Sequence, residues 1–339
     1  MSPTPFPELG RPRLLTVIAS VIVLIGVGFI VHWQSSSIET DGPAGSDAQH
    51  ASTQAFPAVK SAPEQTVVHD AAGVVLATFT QGARTVVMHG PARTFAEPEH
   101  TKATIVISDW VRLYPSAFTG TVDNAWLARM AAENTKHFTP DLIELAMQYI
   151  AGAPTVTDAA GRIIAGDASY GPEQSDDKRQ EGSDFNDYIG IPYVFGGVTD
   201  KSDLAQYGSL DCSGFMRMIW GYRSGMPLEL QPTGTAIPRR AYQILQSSPG
   251  VVVIPNAGQQ ITDFSALQVG DVVFHDASTD DGNQIDHLGM YLGVDSQGQH
   301  RFISSRKTAN GPTFGDTGGK SVLDGKGLYG KAFRAVRRF

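Results

Sequence analysis

Apolar residues first cluster near the N-terminus, in one uninterrupted run. The segment from Leu14 to Val31 reads LLTVIASVIVLIGVGFIV and carries no charge, and a helix that crosses a bilayer needs roughly 20 apolar residues. Arg11 and Arg13 precede the run, and the positive-inside tendency keeps such residues in the cytoplasm. We therefore predict a cytoplasmic segment 1–13, one transmembrane anchor 14–33 and an extracytoplasmic body. A cleaved signal peptide is the alternative, but its apolar core is usually about 7–15 residues long and a small-residue cleavage site follows it.

Beyond the anchor, the pattern changes to a polar linker and then to short alternating segments. Residues 34–63 are rich in Ser, Ala, Gly, Pro and Thr without periodicity, which predicts a flexible tether. Residues 64–170 alternate strand-like and helix-like stretches and predict a mixed α/β accessory region. Two Asp-Ala-Ala-Gly segments, within 67–79 and 155–167, separate β-branched runs and indicate hairpins with shared turn chemistry.

The remaining accessory stretches predict two strands and two helices. ARTVVMHG and ATIVISDWVRLYP are typical of strands, and NAWLARMAAEN and TPDLIELAMQYIAG of helices. In the second helix we predict Thr139 as the N-cap, Pro140 as the first helical residue and Gly152 just past the end.

A polar connection, 169–187, leads into the predicted C-terminal domain, 171–339. An i, i+3, i+4, i+7 stripe in this domain predicts a core-facing helix, with apolar residues at Phe215, Met218, Ile219 and Tyr222. Asp211 is the predicted N-cap, and Cys212 falls in the first turn. The helix dipole is expected there to lower the thiol pKa from about 8.5.

The sequence also predicts a closing strand and two walls of a groove in the C-terminal domain. GKAFRAVRRF is expected to be a final strand with solvated arginines at Arg334, Arg337 and Arg338. A glycine-rich run, 308–327, is long for a loop and is expected to border a groove. The segment 227–260 is a second candidate wall of that groove.

Composition and charge exclude some classes of function. Lys and Arg total 26 against 34 Asp and Glu, for a net charge of -8, which argues against sequence-independent binding of nucleic acid. The chain has one cysteine, so no disulfide forms within it, and Cys212 is a nucleophile, a buried apolar residue or an intermolecular bridge. The histidines of the accessory region lack metal-site spacing, and the acidic loop 276–286 fails the calcium-loop pattern. We expect no metal or organic cofactor.

Four motifs in order favour the interpretation of Cys212 as a nucleophile. They are IGIPYVFGG at 189–197, DCSG at 211–214, VGDVVFHD at 269–276 and DHLGMYLG at 286–293. This series resembles the NlpC/P60 family of papain-like cell-wall cysteine peptidases over about 183–339. Phe195 stands where that family usually has Trp, and His275 replaces an aromatic residue, which we interpret as packing.

The resemblance implies a role for each matched residue. Cys212 is the nucleophile and His287 is the base that takes the thiol proton and returns it to the leaving amine. Tyr193 resembles the family tyrosine near the oxyanion. Asp211 and Ser213 resemble positions that hold the substrate's amine end.

The third catalytic residue departs from the family. That family orients its histidine with His, Asn, Gln or Glu on the next strand, whereas RFISSR places Ser304 in this slot. A Cys-His dyad is the alternative, and His300, Asp276 and Asn310 are other candidates for the orienting role.

The implied fold is α+β, a papain-like NlpC/P60 domain with the nucleophile helix packed on an antiparallel sheet. The implied function is that of a membrane-anchored cysteine peptidase acting outside the cytoplasm on peptidoglycan stem peptides, most often between D-glutamate and a diamino acid. Its expected partners are these peptides and, through the N-terminal helix, the membrane. A non-catalytic domain that binds wall peptides or a partner protein, and an amidase or acyltransferase of the same fold, are the alternatives.

Overall fold

The computed structural model describes residues 63–174, 178–278 and 281–339. All of them belong to one compact unit. The predicted segments 1–13 and 14–33, and all but the last residue of the linker 34–63, lie outside the described residues and stay predictions. Within the described ranges, no helix combines the length and apolar character needed to cross a bilayer.

The accessory region opens with a four-stranded antiparallel sheet whose strands follow chain order. The strands are β1 (Gln65–His69), β2 (Val75–Thr80), β3 (Thr85–Ala96) and β4 (Thr104–Leu113). A second, two-stranded sheet follows with β5 (Val156–Thr157) and β6 (Ile163–Ala165). Every strand that the apolar pattern predicted in this region is confirmed.

Both Asp-Ala-Ala-Gly segments form hairpin turns with the same hydrogen bonds. The Asp70 carboxylate accepts from the backbone N–H groups two and four residues ahead, and the Asp158 carboxylate does likewise. Gly73 and Gly161 have φ of +81° and +77°, where a side chain would be strained. Shared turn chemistry therefore explains the repeated sequence.

Two helices cover the accessory region, and the second differs from its prediction. They are α1 (Asn124–Lys136) and α2 (Leu142–Met147). The N-cap of α2 is Asp141, not Thr139, because the Asp141 carboxylate accepts the Glu144 N–H at 3.0 Å while Glu144 completes the capping box. The helix is also shorter than predicted and ends before Gly152.

The C-terminal domain is built on a six-stranded antiparallel sheet. In chain order its strands are β9 (Val251–Ile254), β10 (Val272–His275), β11 (His287–Val294), β12 (His300–Arg306), β13 (Gly311–Thr313) and β14 (Phe333–Arg338), preceded by a separate hairpin of β7 (Tyr193–Phe195) and β8 (Val198–Asp200). The order across the large sheet is β13-β12-β11-β10-β14-β9.

Short helices surround this sheet. They are α3 (Phe185–Ile189), a 3₁₀ turn (Leu204–Gln206), α4 (Cys212–Met216), a π-helical segment (Arg217–Tyr222), α5 (Ala241–Ser247) and α6 (Leu328–Ala332). The predicted nucleophile helix is thus α4 continued by the π-helical segment. It packs on β11 and β12, and its apolar stripe is buried except at Tyr222, which is half-buried.

One hydrophobic core joins the accessory region to the C-terminal domain. Val111 of β4 and Ile143 of α2 lie in the same cluster as Phe215 of α4 and Leu288 of β11. The backbone at the C-terminus adds polar contacts, since the Phe339 carbonyl accepts hydrogen bonds from Thr85 through N–H and Oγ1. The core therefore continues across the boundary predicted at 170, and that boundary stays a prediction.

The arginines of the closing strand are not solvated, and this prediction is wrong. Arg337 and Arg338 are 7% and 1% exposed, because β14 is an interior strand between β10 and β9. Arg338 pairs with both carboxylate oxygens of Asp271 at 2.7 and 2.8 Å. Arg334 is largely buried too and contacts Asp276 at 3.4 Å.

Candidate active site

Cys212 is the first residue of α4, as predicted. The Asp211 carboxylate caps the helix by accepting the Gly214 N–H at 2.7 Å. A Cβ at Gly214 would lie 2.1 Å from the Ser183 carbonyl oxygen, so the glycine permits the helix start to approach the preceding segment closely. The sequence Asp-Cys-Ser-Gly therefore places an unpaired thiol at a tightly packed helix start.

The fold brings this helix start to the beginning of β11. The Cys212 thiol donates to the carbonyl oxygen of Asp286 at 3.9 Å, and His287 is the next residue. His287 is half-buried, and its ring centroid lies 5.2 Å from that of Tyr329. The predicted nucleophile therefore contacts the backbone of the residue that precedes the predicted base.

The protonation of this pair differs from the expectation drawn from the helix dipole. Burial, then the charges of Asp211 and Glu181, raise the pKa of the Cys212 thiol well above 9. Burial, then His275 and Arg306, lower the pKa of His287 well below 6.5. Desolvation and two carboxylates outweigh the short helix, so the thiol and the imidazole are both neutral at rest.

Asp211 and Ser213 are occupied by an arginine that the sequence analysis did not single out. Arg239 donates to Asp211 Oδ2 at 2.7 Å and to Ser213 Oγ at 2.6 Å. Burial raises the pKa of Asp211, but the Arg239 guanidinium outweighs it and holds that pKa below its usual value. Both residues are buried, so in this structure they bind Arg239, and their predicted role toward a substrate amine stays a prediction.

Tyr193 packs against aromatic rings in the β7-β8 hairpin. Its ring lies 4.9 Å from that of Phe185 and 4.7 Å from that of Phe195. Across the described part of the chain, no hydrogen bond or ring contact joins Tyr193 to Cys212 or His287. Its predicted oxyanion role stays a prediction.

Two other tyrosines are the electrostatic neighbours of Cys212. Burial raises the pKa of Tyr170 and of Tyr329, and a charge on Cys212 raises each further. Tyr170 also donates to Glu181 at 3.3 Å. No motif in the sequence indicates a role for either tyrosine, because Tyr170 lies in the polar connection and Tyr329 follows the glycine-rich run.

Ser304 lies on β12 and is fully buried. Its Oγ has no hydrogen-bond partner among the described residues, and neither has Nε2 of His287. The hydrogen bond that a Cys-His-Ser triad requires is therefore not formed in this structure, and Ser304 stays a predicted site residue.

The other candidates for the orienting role have partners elsewhere. His300 bonds the Tyr291 hydroxyl at 2.6 Å, Asp276 contacts Arg334, and Asn310 accepts from the Tyr170 N–H at 3.3 Å. His275, interpreted from the sequence as a packing residue, is the polar residue opposite His287 in the β10-β11 register. Its ring centroid is 6.0 Å from that of His287.

A cavity of about 440 Å³ opens beside the candidate base. Its lining includes His287 and Arg306, with Glu181 and Lys307 at its edge joined by an ion pair of 2.6 Å. Residues 308, 318, 328 and 329 also line it, so part of the predicted glycine-rich wall lies at the cavity. Cys212 is 7% exposed and is not part of the lining.

One group of carboxylates in the described ranges has the spacing of a metal site. Oxygens of Asp276, Asp281 and Asp286 lie within 4.8 Å of one another. The Asp286 carboxylate already accepts hydrogen bonds from the backbone N–H groups of Ala277 and Ser278. These contacts hold the Asp286 carboxylate against the first residues of the acidic loop.

Comparison with known proteins agrees with the fold and the motifs. Residues 190–324 match the model of the NlpC/P60 family, so the C-terminal domain of this chain is an NlpC/P60 domain. This result confirms the resemblance stated above. No curated protein matches the chain.

One solved structure in the comparison comes from Staphylococcus aureus and is described as similar to a lipoprotein of the NLP/P60 family. The two chains are 22% identical, the match has a TM-score of 0.24, and it covers 45% of this chain and 38% of the other. The chain therefore matches well under half of that structure.

Proposed function

We propose that this protein is an extracytoplasmic cysteine peptidase that hydrolyses an amide bond in peptidoglycan stem peptides. Cys212 is the proposed nucleophile and His287 the proposed base. The observation that carries the proposal is the contact of the Cys212 thiol with the backbone of Asp286, the residue before His287. The NlpC/P60 match over 190–324 supports the substrate class, and the family's usual bond lies between D-glutamate and a diamino acid.

The neutral resting pair defines the first step of the proposed reaction. His287 takes the thiol proton as Sγ attacks the amide carbonyl carbon, so the thiolate does not exist before the substrate binds. The carbonyl oxygen becomes an oxyanion, and backbone N–H groups at the start of α4 are the proposed donors to it. The carboxylates of Asp211 and Glu181 disfavour a thiolate on Cys212 before the substrate binds. This supports general-base attack over a preformed ion pair.

The second half of the reaction returns the enzyme to its resting state. His287 donates its proton to the leaving amine, the C–N bond breaks, and a thioester joins the acyl group to Cys212. Water, deprotonated by His287, then attacks the thioester and releases the acid and the thiol. The substrate enters through the cavity lined by His287 and Arg306.

The burial of Cys212 favours a second candidate function. A thiol that is 7% exposed and absent from the cavity lining is compatible with a domain that binds wall peptides without cleaving them. An amidase or acyltransferase remains a further alternative, because a thioester also reacts with nucleophiles other than water.

Digestion of a defined muropeptide by the full-length protein tests the proposal. Mass spectrometry of the products identifies the bond and separates hydrolysis from acyl transfer. We expect Cys212→Ala and His287→Ala to lose at least about 10³-fold in rate, while His89→Ala, a change at an exposed histidine of β3, keeps the wild-type rate. Binding without cleavage by folded wild-type protein would establish the non-catalytic function instead.

A further inference from the structure

Two departures from the family pattern lie on strands that flank His287. His275 on β10 replaces an aromatic residue and pairs with His287 on β11. Ser304 on β12 stands where the family has His, Asn, Gln or Glu, and β11 separates β10 from β12. Both side chains are fully buried. Because residues opposite each other in a sheet share a face, His275 and His287 project to the same side.

Gly289, which has no side chain, lets residues of β12 approach β11 closely. A Cβ at Gly289 would lie 2.7 Å from Cδ2 of Phe302 and 3.1 Å from Cβ of Ser304, so Ser304 faces the glycine on that same side. The His275 ring lies 4.9 Å from the Phe302 ring on β12. It therefore reaches across β11 above Gly289, toward the strand that carries Ser304.

Three polar atoms of residues on this face of the sheet are buried and unpaired. They are Nε2 of His275, Nε2 of His287 and Oγ of Ser304. A buried polar group without a partner costs about 1–3 kcal/mol, and native proteins contain few such groups. Three on one face of three adjacent strands point to a common function.

The hydrogen bond of the His275 ring determines which of its nitrogens carries the proton. Its Nδ1 lies 3.1 Å from the Tyr329 carbonyl oxygen, and a carbonyl can only accept. Nδ1 therefore carries the proton in the neutral ring, and Nε2 is a bare acceptor. A serine hydroxyl can donate to such an acceptor while it accepts from another group.

We propose that Ser304 and His275 act together as positioning residues, with His287 Nε2–H donating to Ser304 Oγ, Ser304 O–H donating to His275 Nε2, and His275 Nδ1–H donating to the Tyr329 carbonyl. The inference rests on the proposed function, because it assigns the group that orients the candidate base. No proton moves along this chain; the Nε2 proton stays on His287 while Nδ1 takes the thiol proton. Catalytic hydrogen bonds that are long in a free enzyme shorten when the substrate binds.

The surroundings keep His275 neutral, as the chain of bonds requires. Burial lowers its pKa to about 3, the Tyr329 carbonyl raises it, and Arg334 and Arg306 lower it. The titratable and charged groups that face it are thus His287, Arg306, Tyr329 and Arg334. A serine alone gives the imidazolium weak support, whereas a serine that donates to a neutral histidine is a polarised acceptor. The two departures from the family pattern compensate each other.

A set of variants tests the pair through activity on the muropeptide. We expect His275→Phe and Ser304→Ala each to lower kcat on the order of 10-fold to 100-fold with little change in KM. The double variant His275→Phe, Ser304→His restores the usual family pattern, and we expect it to recover activity to within about 10-fold of wild type. Thermal unfolding of each variant controls for loss of structure. Wild-type kcat in Ser304→Ala, or a double variant no better than His275→Phe, would overturn the pairing.

Nitrogen-15 NMR of the imidazole groups tests the proposed series of hydrogen bonds without any substrate. At neutral pH we expect His275 to carry its proton on Nδ1 and His287 to carry its proton on Nε2, with His275 assigned by comparison with His275→Phe. A proton on Nε2 of His275 would refute the inference even if the enzyme is active. Failure of the wild type to cleave, with the expected tautomers present, would refute the proposed function and leave the hydrogen-bond chain intact.

Discussion

The thiol of Cys212 donates to the carbonyl oxygen of Asp286 at 3.9 Å across 74 positions of sequence. This contact brings the start of a short helix to the start of a central strand, one residue before His287. A thiol that donates still holds its proton, which agrees with the raised pKa of Cys212 and the lowered pKa of His287. The candidate catalytic pair is therefore neutral until a substrate arrives.

The neutral thiol predicts an unusual pH dependence of alkylation. Because burial and two carboxylates raise the pKa of Cys212 well above 9, the thiolate fraction is small near neutral pH and keeps increasing with pH beyond 9. We expect the rate of iodoacetamide modification, followed by mass spectrometry, to rise without a plateau near neutral pH. The same protein unfolded in urea is the control, and Cys212 is its only thiol. A plateau near neutral pH in the folded protein would indicate a preformed ion pair with His287.

Replacement of Glu181 is expected to make this thiol more acidic. Glu181 is exposed, pairs with Lys307 and is one of the carboxylates that raise the pKa of Cys212. We predict that Glu181→Gln increases the alkylation rate at pH 8 by less than about fivefold, since a charge pair in water is worth about 1 kcal/mol at 4 Å. The increase should shrink at high salt. Glu173→Gln, on the same connection and more exposed, is the matched control, and an equal increase there would contradict the assignment.

The buried His275 predicts a loss of stability in acid. Its folded pKa of about 3 lies below the ordinary 6.5, so the unfolded chain binds one more proton between these values. Its contribution is complete above pH 6.5 and is lost as the pH falls toward 3, at up to about 1.4 kcal/mol per pH unit. Urea unfolding at a series of pH values measures the slope. We expect His275→Phe to reduce it, and an identical slope in both proteins would show that His275 does not titrate on unfolding.

Removal of Arg239 is expected to destabilise the start of α4. Arg239→Met leaves the buried Asp211 carboxylate without its cation and Ser213 without its donor. We predict a loss of about 3 kcal/mol in the free energy of unfolding, measured by denaturant titration. The thiol pKa should also rise, because the Arg239 charge lowers it. Arg240→Met, at the exposed neighbouring position, should cost under about 0.5 kcal/mol, and a comparable loss there would contradict a specific role of Arg239.

Local patterns in the sequence were sufficient for the strands of the accessory region and for the start of the nucleophile helix. Strand alternation predicted the sheets, and the Asp-Ala-Ala-Gly turns formed as hairpins because their hydrogen bonds lie within five residues. The Asp-Cys-Ser-Gly motif predicted the helix start for the same reason. Order and spacing of four motifs were enough to identify the NlpC/P60 domain.

Properties that depend on distant neighbours were not predicted. The sign of the thiol pKa shift was wrong, because the helix dipole is local while burial and the Glu181 charge come from packing. The closing arginines were expected in solvent, since the sequence does not show that their strand becomes interior. Arg239 was missed for a similar reason, as its partners Asp211 and Ser213 lie in another segment.

The sequence by itself determined which residues are candidates for the chemistry, because each motif, for the nucleophile and its cap or for a strand, occupies a few adjacent positions. Only the tertiary structure decided their protonation and their partners. Considered separately, His275 lacks the packing of the aromatic ring that it replaces, and Ser304 lacks the imidazole, amide or carboxylate of the usual orienting residue. Their places on the strands beside β11 make them candidates for one arrangement, because hydrogen bonds and desolvation depend on distance in space and not on separation along the chain.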